Sequence, residues 1–281
     1  NGKGSTTVMT ARVLKEAGYR TGLFISPFVL DFRERFQVNG EMIPEGTLLR
    51  LVERVKPLVE EMRQNGEIVA EFELVTALGM LWFYEERCDI VCLEVGIGGR
   101  FDATNVIGTP LAAVVTAISY DHTDILGDTL EQIAFEKAGI IKRNTDVVCY
   151  AEQPPEALAV LMERCARTGS RLTLPSMGTV QIHEMTPFGS SFSYGDETYR
   201  LRLAGEHQIV NALSVIETVK ILRRKGFGVT ERQLSAGLEA ASFPARFEVL
   251  TRYPLTILDG AHNPDGAKAL AKALSLSLIH I

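Results

Sequence analysis

An α/β fold built on a mostly parallel sheet is what the sequence predicts, and three observations carry the prediction. Apolar runs of strand length, Ile90–Val95 (IVCLEV) and Leu111–Ser119, are continuous rather than alternating, as in strands buried on both faces. Helical patterns fall between such runs, so strand and helix alternate. The chain opens on Asn1-Gly2-Lys3-Gly4-Ser5, a phosphate-loop-like run that leads straight into a helical pattern. With 281 residues, 46% hydrophobic and 23% charged, the chain suffices for one large domain or two ordinary ones.

Taken in order, the first helix is expected from about Thr6 to Ala17, with Gly18 just past its end. Thr21–Ser26 is a short apolar strand. Phe28 to Asn39 is a loop rich in charge and aromatics, and Gly40 to Ile43 reads as one arm of a hairpin. A long amphipathic helix covers about Glu45–Gln64 and should kink or break near Pro57. Phe72–Arg87 is a helix apolar enough to be largely buried. After the strand Ile90–Val95 comes a glycine-rich turn, Gly96 to Arg100, then the strand Leu111–Ser119. The helix from about Thr129 to Ala138 has capping-box spacing at Asp128/Glu131 and at Thr129/Gln132, and Gly139 stops it. Asp146–Tyr150 is a strand and Pro154–Arg167 a crossover helix. Between Gly178 and Leu203 the pattern changes to short strands with turns at Phe188-Gly189 and Tyr194-Gly195-Asp196, so antiparallel hairpins are expected. Helices return at His207–Lys225 and Thr230–Ala241. Phe247–Leu250, Leu255–Leu258 and a helix from Asp265 read as the start of a second βα unit. The domain boundary is expected near Ala245.

The net charge of −6 argues against a nucleic-acid partner, whose phosphates call for an excess of Lys and Arg, but not against a nucleotide. Cys88, Cys92, Cys149 and Cys165 form no C-x-x-C, and reduced thiols in a cytoplasmic protein are expected. The apolar run Leu111–Ile118 is too short to cross a bilayer, so no membrane association is expected. The first residue is not Met, and a phosphate loop ordinarily follows a strand. The last stretch, 275–281, carries no Asp, Glu, Lys or Arg and no turn signal. A fragment ending in an unrelated tail is therefore expected.

The chemistry-bearing residues gather at strand ends. Gly2 and Gly4 let backbone N–H groups approach phosphate oxygens, Lys3 reaches the β- and γ-phosphates, and Ser5 offers a hydroxyl to Mg²⁺. The helix behind them adds a field that favours anions. The alternative is an unstructured Gly/Ser/Lys-rich end. Glu94, inside a buried strand, calls for a cation; the alternatives are a magnesium ion and a buried partner such as Arg100. Ser26, His122 and Lys137 also stand at or just beyond strand ends, where open α/β sheets bind ligands. Alone, His122 reads as a surface histidine and Lys137 as a helix-surface lysine. Glu73 and Thr76, on an otherwise apolar helix, read as satisfied core groups or as substrate contacts. His207 and Asn211 share a helix face at i and i+4. Asp259-Gly-Ala-His262-Asn-Pro follows a strand in the second unit.

These segments, in this order, resemble the Mur ligase superfamily, and within it the folylpolyglutamate synthases, including the bifunctional dihydrofolate synthase form. The resemblance rests on the run from Asn1 to Ser5, on Ser26-Pro27-Phe28, on Phe32 to Gly40, and on the complete E-V-G-x-G-G-R-x-D-A-T-N from Glu94 to Asn105. It continues with Asp121 to Gly127, Glu136 to Ile140, Gln208 to Ala212, Pro244 to Glu248 and Asp259 to Pro264. It implies a P-loop, Mur-ligase-like central domain over 1–244, with a mostly parallel sheet, helices on both faces and a small antiparallel part. The start of a Rossmann-like, glutamate-ligase domain over 245–274 would follow, with 275–281 as the tail. It implies an ATP-dependent ligase that joins L-glutamate to a folate, or to dihydropteroate, through an acyl phosphate. Asn1, Gly2, Lys3, Gly4 and Ser5 would hold ATP phosphates. Asn211, Arg246, Asp259 and His262 would contact the nucleotide from both sides of a cleft. Ser26 and Glu94 would hold one Mg²⁺; His122 and Lys137, the latter as a carbamate, would hold a second. Phe72, Glu73, Thr76, Phe101, Asp102 and Ala103 would line the folate side. The implied partners are small molecules only, and the implied state is a cytoplasmic monomer. Two other readings stand beside this one: a UDP-muramyl-peptide ligase, and a P-loop ATPase or nucleotide-switch module with no ligase chemistry.

Overall fold

The structure, a computed structural model, describes residues 1–278. In chain order its elements are α1 (Lys3–Glu16), β1 (Thr21–Phe24), β2 (Phe36–Val38), β3 (Glu41–Met42), α2 (Glu45–Gln64), α3 (Glu71–Glu85), β4 (Ile90–Leu93), β5 (Ala113–Val115), α4 (Thr123–Leu126), α5 (Leu130–Lys137), β6 (Asp146–Cys149), α6 (Pro155–Thr168) and β7 (Arg171–Thr173). Then come β8 (Val180–Thr186), β9 (Gly189–Tyr194), β10 (Glu197–Leu201), α7 (Glu206–Arg224), α8 (Glu231–Ala240), β11 (Glu248–Arg252), β12 (Leu255–Leu258) and α9 (Pro264–Leu278). The α/β class is as predicted.

The parallel strands form two sheets rather than one. In the first, ordered β3-β2-β1-β4, β1 runs parallel to β4 with Phe24 beside Leu93. In the second, β5, β6 and β7 are all parallel. Between β4 and β5 lies an apolar cavity of about 490 Å³, lined also by Thr6, Thr10 and Leu14 of α1. Both parallel pieces point their carboxyl ends toward the start of α1: the Asn1 backbone nitrogen donates to the Ala117 carbonyl beyond β5 (2.7 Å), and Gly4 approaches Glu94 beyond β4.

Several expectations are corrected. The loop expected over Phe28 to Asn39 contains β2, which pairs antiparallel with β1, and Glu41–Met42 completes the hairpin on it. Phe36 is fully buried, and its ring meets those of Phe24 and Phe32 edge to face. The helix over Glu45–Gln64 is continuous through Pro57. Pro57 is exposed, so the carbonyl its ring deprives of a donor can turn to water. The strand expected over Leu111–Ser119 is paired only at Ala113–Val115, alongside β6. β7 carries too few apolar residues to stand out in the sequence. The second unit does not open as a βα crossover: β11 and β12 form an antiparallel hairpin. Of the tail expected over 275–281, α9 continues past Ser275, and residues 279–281 lie outside the described residues.

Of the two capping boxes expected at the start of α5, Thr129/Gln132 forms and Asp128/Glu131 does not, the Asp128 amide donating instead to Gln132 Oε1 (2.8 Å). Thr129 and Thr230 each accept from the amide three residues on, and Gln132 and Gln233 reach back. Helix α7 is buried along most of its length and packs with α1 and α8 against β1, β9 and β10. A second core joins β5 and β6 to α5 and α6, and a third joins β1, β2 and β4 to α2 and α3. A small cluster of Ala204, Phe247 and Ala273 ties β11 and α9 to the segment before α7.

Candidate functional site

The opening residues are ordered by close packing. Gly2 has φ +84°, a left-handed conformation that glycine adopts without strain. A β-carbon there would lie 2.5 Å from Asn211 Oδ1, and one on Gly4 would lie 2.5 Å from the Phe243 ring. The backbone therefore lies flush against α7 on one side and Phe243 on the other. Ser5 is buried and its hydroxyl accepts from Gln208 Nε2 (3.2 Å), whose Oε1 accepts from Asn211 Nδ2 (3.0 Å). Helix α1 begins at Lys3 with no acidic residue in its first turn, so its amino-terminal field is unopposed. This replaces the unstructured end that composition alone allowed.

Glu94 follows β4 and is 5% exposed. Its Oε2 accepts from the Ser26 amide (2.9 Å), so the carboxyl ends of β1 and β4 bring these two residues together. Burial pushes its carboxyl up to about 7, although the Ser26 amide, Lys3 and Arg246 favour the charged form. Arg100 is not its partner; that guanidinium lies 3.7 Å from Glu136. A buried carboxylate with one backbone donor and no ion pair fits a cation brought with a ligand. Among the described residues no three His, Cys, Asp or Glu side chains converge as a metal centre. Magnesium is ordinarily held by one or two carboxylates with water and substrate phosphates, so this donor set suits it.

His122 caps the short α4 with φ +51°, and its Nε2 lies 3.8 Å from Asp121 Oδ1. Burial works to raise Asp121, but the Asn263 amide (2.9 Å) and the neighbouring histidines carry it below the ordinary carboxylate value. Lys137 ends α5. Burial lowers its amine to about 8, with the Lys3 charge acting in the same sense and Asp121 and Asp102 opposing. No hydrogen bond or ion pair engages that amine among the described residues. A lysine that loses its proton this readily is a nucleophile near neutral pH.

The expected substrate-side residues are occupied locally. Glu73 Oε2 caps α3 at the Ala70 amide (2.8 Å), and the Thr76 hydroxyl donates to the Phe72 carbonyl (2.7 Å). Phe72 packs against Gly96, where a β-carbon would sit 2.8 Å from its ring. Asp102 accepts from the Ile97 amide and from the Thr104 amide and hydroxyl, which folds the 96–105 loop, with Ala103 between; Phe101 projects from it, 82% exposed. Asp259 likewise shapes its own turn, accepting from the Phe247 and Ala261 amides (2.7 and 2.8 Å). His262 Nδ1 lies 2.9 Å from the Gly260 carbonyl. The Arg246 guanidinium stacks on Phe243, 4.9 Å from the ring centre, and so faces the ring that covers Gly4.

Three residues at this site were not singled out in the sequence. Gln208 and Asn263 stood inside the quoted motifs, while Phe243 gave no signal. Asn263 is the bridge: its Nδ2 donates to Asn1 Oδ1 and Asp121 Oδ2 (2.9 Å each), and its Oδ1 accepts from Gly266.

The Mur ligase middle domain matches residues 1–219. The chain is 38% identical over 98% of its length to a folylpolyglutamate synthase of Lacticaseibacillus casei, covering 66% of that protein. It is 39% identical over 98% of its length to a dihydrofolate synthase/folylpolyglutamate synthase of Bacillus subtilis, covering 65%. The chain thus spans about two thirds of the length of these relatives. It also superposes, with a TM-score of 0.90 and 36% identity, on 69% of a folylpolyglutamate synthase solved as a complex with AMPPCP and folate, covering 98% of this chain.

Proposed function

The chain belongs to the Mur ligase family, among the folylpolyglutamate synthases, and from that premise we propose that it binds ATP and serves the ATP-dependent addition of L-glutamate to a folate or to dihydropteroate. The observation that carries the reading is Glu94: a buried carboxylate, without a cationic partner, between the phosphate loop and Ser26.

In this reading residues 1–244 are the nucleotide domain and 245–274 begin the glutamate-ligase domain. The phosphate chain lies along Asn1–Ser5 and the amino terminus of α1. Lys3 stands against the γ-phosphate and offsets charge as it transfers. Asn211 and Arg246 hold the nucleotide where α7 and the Phe243 ring meet the loop. Asp259 keeps the turn before α9 in shape, and His262 reaches the nucleotide from that side. Ser26 and Glu94 would hold one Mg²⁺, and His122 with carbamylated Lys137 a second; the ion supplies charge stabilisation to the transferring phosphoryl group. Phe72 and the 96–105 loop, with Phe101, Asp102 and Ala103, present the folate, while Glu73 and Thr76 support them through α3. The folate carboxylate attacks the γ-phosphorus of ATP, the bond to the β,γ-bridging oxygen breaks, and ADP leaves as the acyl phosphate forms. The glutamate amine then displaces phosphate and forms the amide. Four unpaired thiols suit a reducing, cytoplasmic setting.

Phosphate release tests the reading. It should require MgATP, the folate substrate and glutamate together, and Lys3→Ala should slow it by at least about 100-fold, as for loss of a preorganised electrostatic group. Release that proceeds equally without glutamate would identify an ATPase and sink the ligase.

A further inference from the structure

The turn that carries Arg246 is strained on both sides of it. Ala245 has φ +54° and Phe247 φ +49°, the left-handed region that residues with a β-carbon avoid, bulky ones most of all. Glycine would adopt it freely, yet neither position holds glycine. Such backbone persists only where its surroundings over-determine it, and it gathers at ligand-binding sites. Here four hydrogen bonds hold it. Glu248 Oε2 accepts from the Ala245 amide (2.9 Å), and Asp259 Oδ2 accepts from the Phe247 amide (2.7 Å). The Ala245 carbonyl accepts from the Gly260 amide (2.8 Å) and from Arg246 Nη1 (3.0 Å). Phe247, 4% exposed, is anchored in the small cluster with Ala204 and Ala273.

This turn sets the Arg246 guanidinium over Phe243, the ring that covers Gly4, and its charge is felt at Glu94. Gly260 leaves the room: a β-carbon there would lie 2.6 Å from Arg246 Nη1. Among the described residues no acid pairs with this guanidinium, which engages only the Ala245 carbonyl and the Phe243 ring. Nor does a Lys or Arg pair with Glu248 among them, so the Ala245 amide is what its carboxylate serves. We propose that Glu248 is a positioning residue for Arg246. Its carboxylate holds the Ala245 amide, keeps the strained turn closed, and so presents the guanidinium to the phosphates of a nucleotide before the nucleotide arrives. The inference rests on the nucleotide reading above and deepens it, since an arginine placed in advance spares binding the cost of ordering a long side chain.

Calorimetric titration with Mg·AMPPCP tests it. Glu248→Ala should weaken binding about tenfold, the upper end of what ordering one long side chain costs. Glu248→Gln, whose Oε1 can still accept from the Ala245 amide, should stay within about threefold of wild type. Adding Ala245→Gly to Glu248→Ala should recover most of the loss, because glycine holds the left-handed turn without the carboxylate. With Arg246→Ala in place, Glu248→Ala should change the affinity no further. Equal affinity of Glu248→Ala and wild type, or the same loss with and without Arg246, overturns the proposal and leaves the nucleotide reading intact. Where Glu248→Ala does not fold, Glu248→Ala/Ala245→Gly carries the test, and weak binding by that variant overturns the proposal. A wild type that binds no Mg·AMPPCP sinks the nucleotide reading itself, and this proposal with it.

Discussion

Glu94 is held by the folded chain in a proton state that the unfolded chain does not share. Its carboxyl titrates near 7 when folded and near its ordinary 4.5 when unfolded. Between these values the folded state keeps a proton that the unfolded state has lost, so this group's contribution is complete below 4.5 and disappears as pH rises through 7. In EDTA, urea unfolding should show wild type losing about 3 kcal/mol relative to Glu94→Gln across that window. A difference that stays level would mean that the carboxylate is already compensated. Lys137 yields a second expectation. Its buried amine, lowered to about 8, should take up CO₂, and ¹³C-bicarbonate should give a carbamate resonance that Lys137→Ala lacks. A spectrum unchanged by the substitution would remove the second metal site from the mechanism.

Among elements, α1 is the one that positions the site, and its approach to α8 depends on a glycine. A β-carbon on Gly237 would sit 2.5 Å from the Val13 Cα and 2.8 Å from its Cγ2, against backbone that cannot rotate away. Gly237→Ala should therefore destabilise the fold by about 1–3 kcal/mol in urea unfolding, the range for overpacking a close contact. Its better helix propensity, about 1 kcal/mol, acts in the opposite direction and is the smaller effect. A stabilised variant would mean that the two helices can separate without cost. The same packing explains how Lys3 is aimed: Val13 and Leu14 are fully buried, so the helix cannot slide along β1 and β4.

For the molecule as a whole, the question is how the β11–β12–α9 unit is tied to the phosphate loop. The apolar contact is small, built around Ala204, Phe247 and Ala273. Asn263, 9% exposed, supplies the polar link, with bonds to Asn1 and Asp121 on one side and to Gly266 on the other. Losing such a buried link costs about 1–3 kcal/mol locally because its partners are left unmatched. Asn263→Ala should thus speed amide exchange over 259–266 while leaving the β5–β6–β7 sheet as protected as before, measured by hydrogen exchange. Unchanged exchange over 259–266 would show that the apolar contact alone holds the unit in place.

By itself the sequence determined the fold class and the Thr129 cap of α5, and it nominated the candidate site residues. These rest on short-range physics: continuous apolar runs mark buried strands, Thr and Gln at fixed spacing cap helices, and glycine marks a left-handed turn. It also determined that Glu94 needs a partner, because a carboxylate in an apolar strand is costly anywhere. The tertiary structure decided which partner. It set the Ser26 amide, and not Arg100, beside that carboxylate, since the parallel register of β1 and β4 fixes which strand ends meet. It decided that Glu73, Asp102 and Asp259 serve backbone amides nearby, which composition could not separate from ligand contacts. It placed β2 in a segment that reads as loop, because Phe36 is buried only when α3 covers it. Gln208, Phe243 and Asn263 reach the phosphate loop from more than two hundred residues away in the chain, and only folding brings such distant side chains within bonding distance.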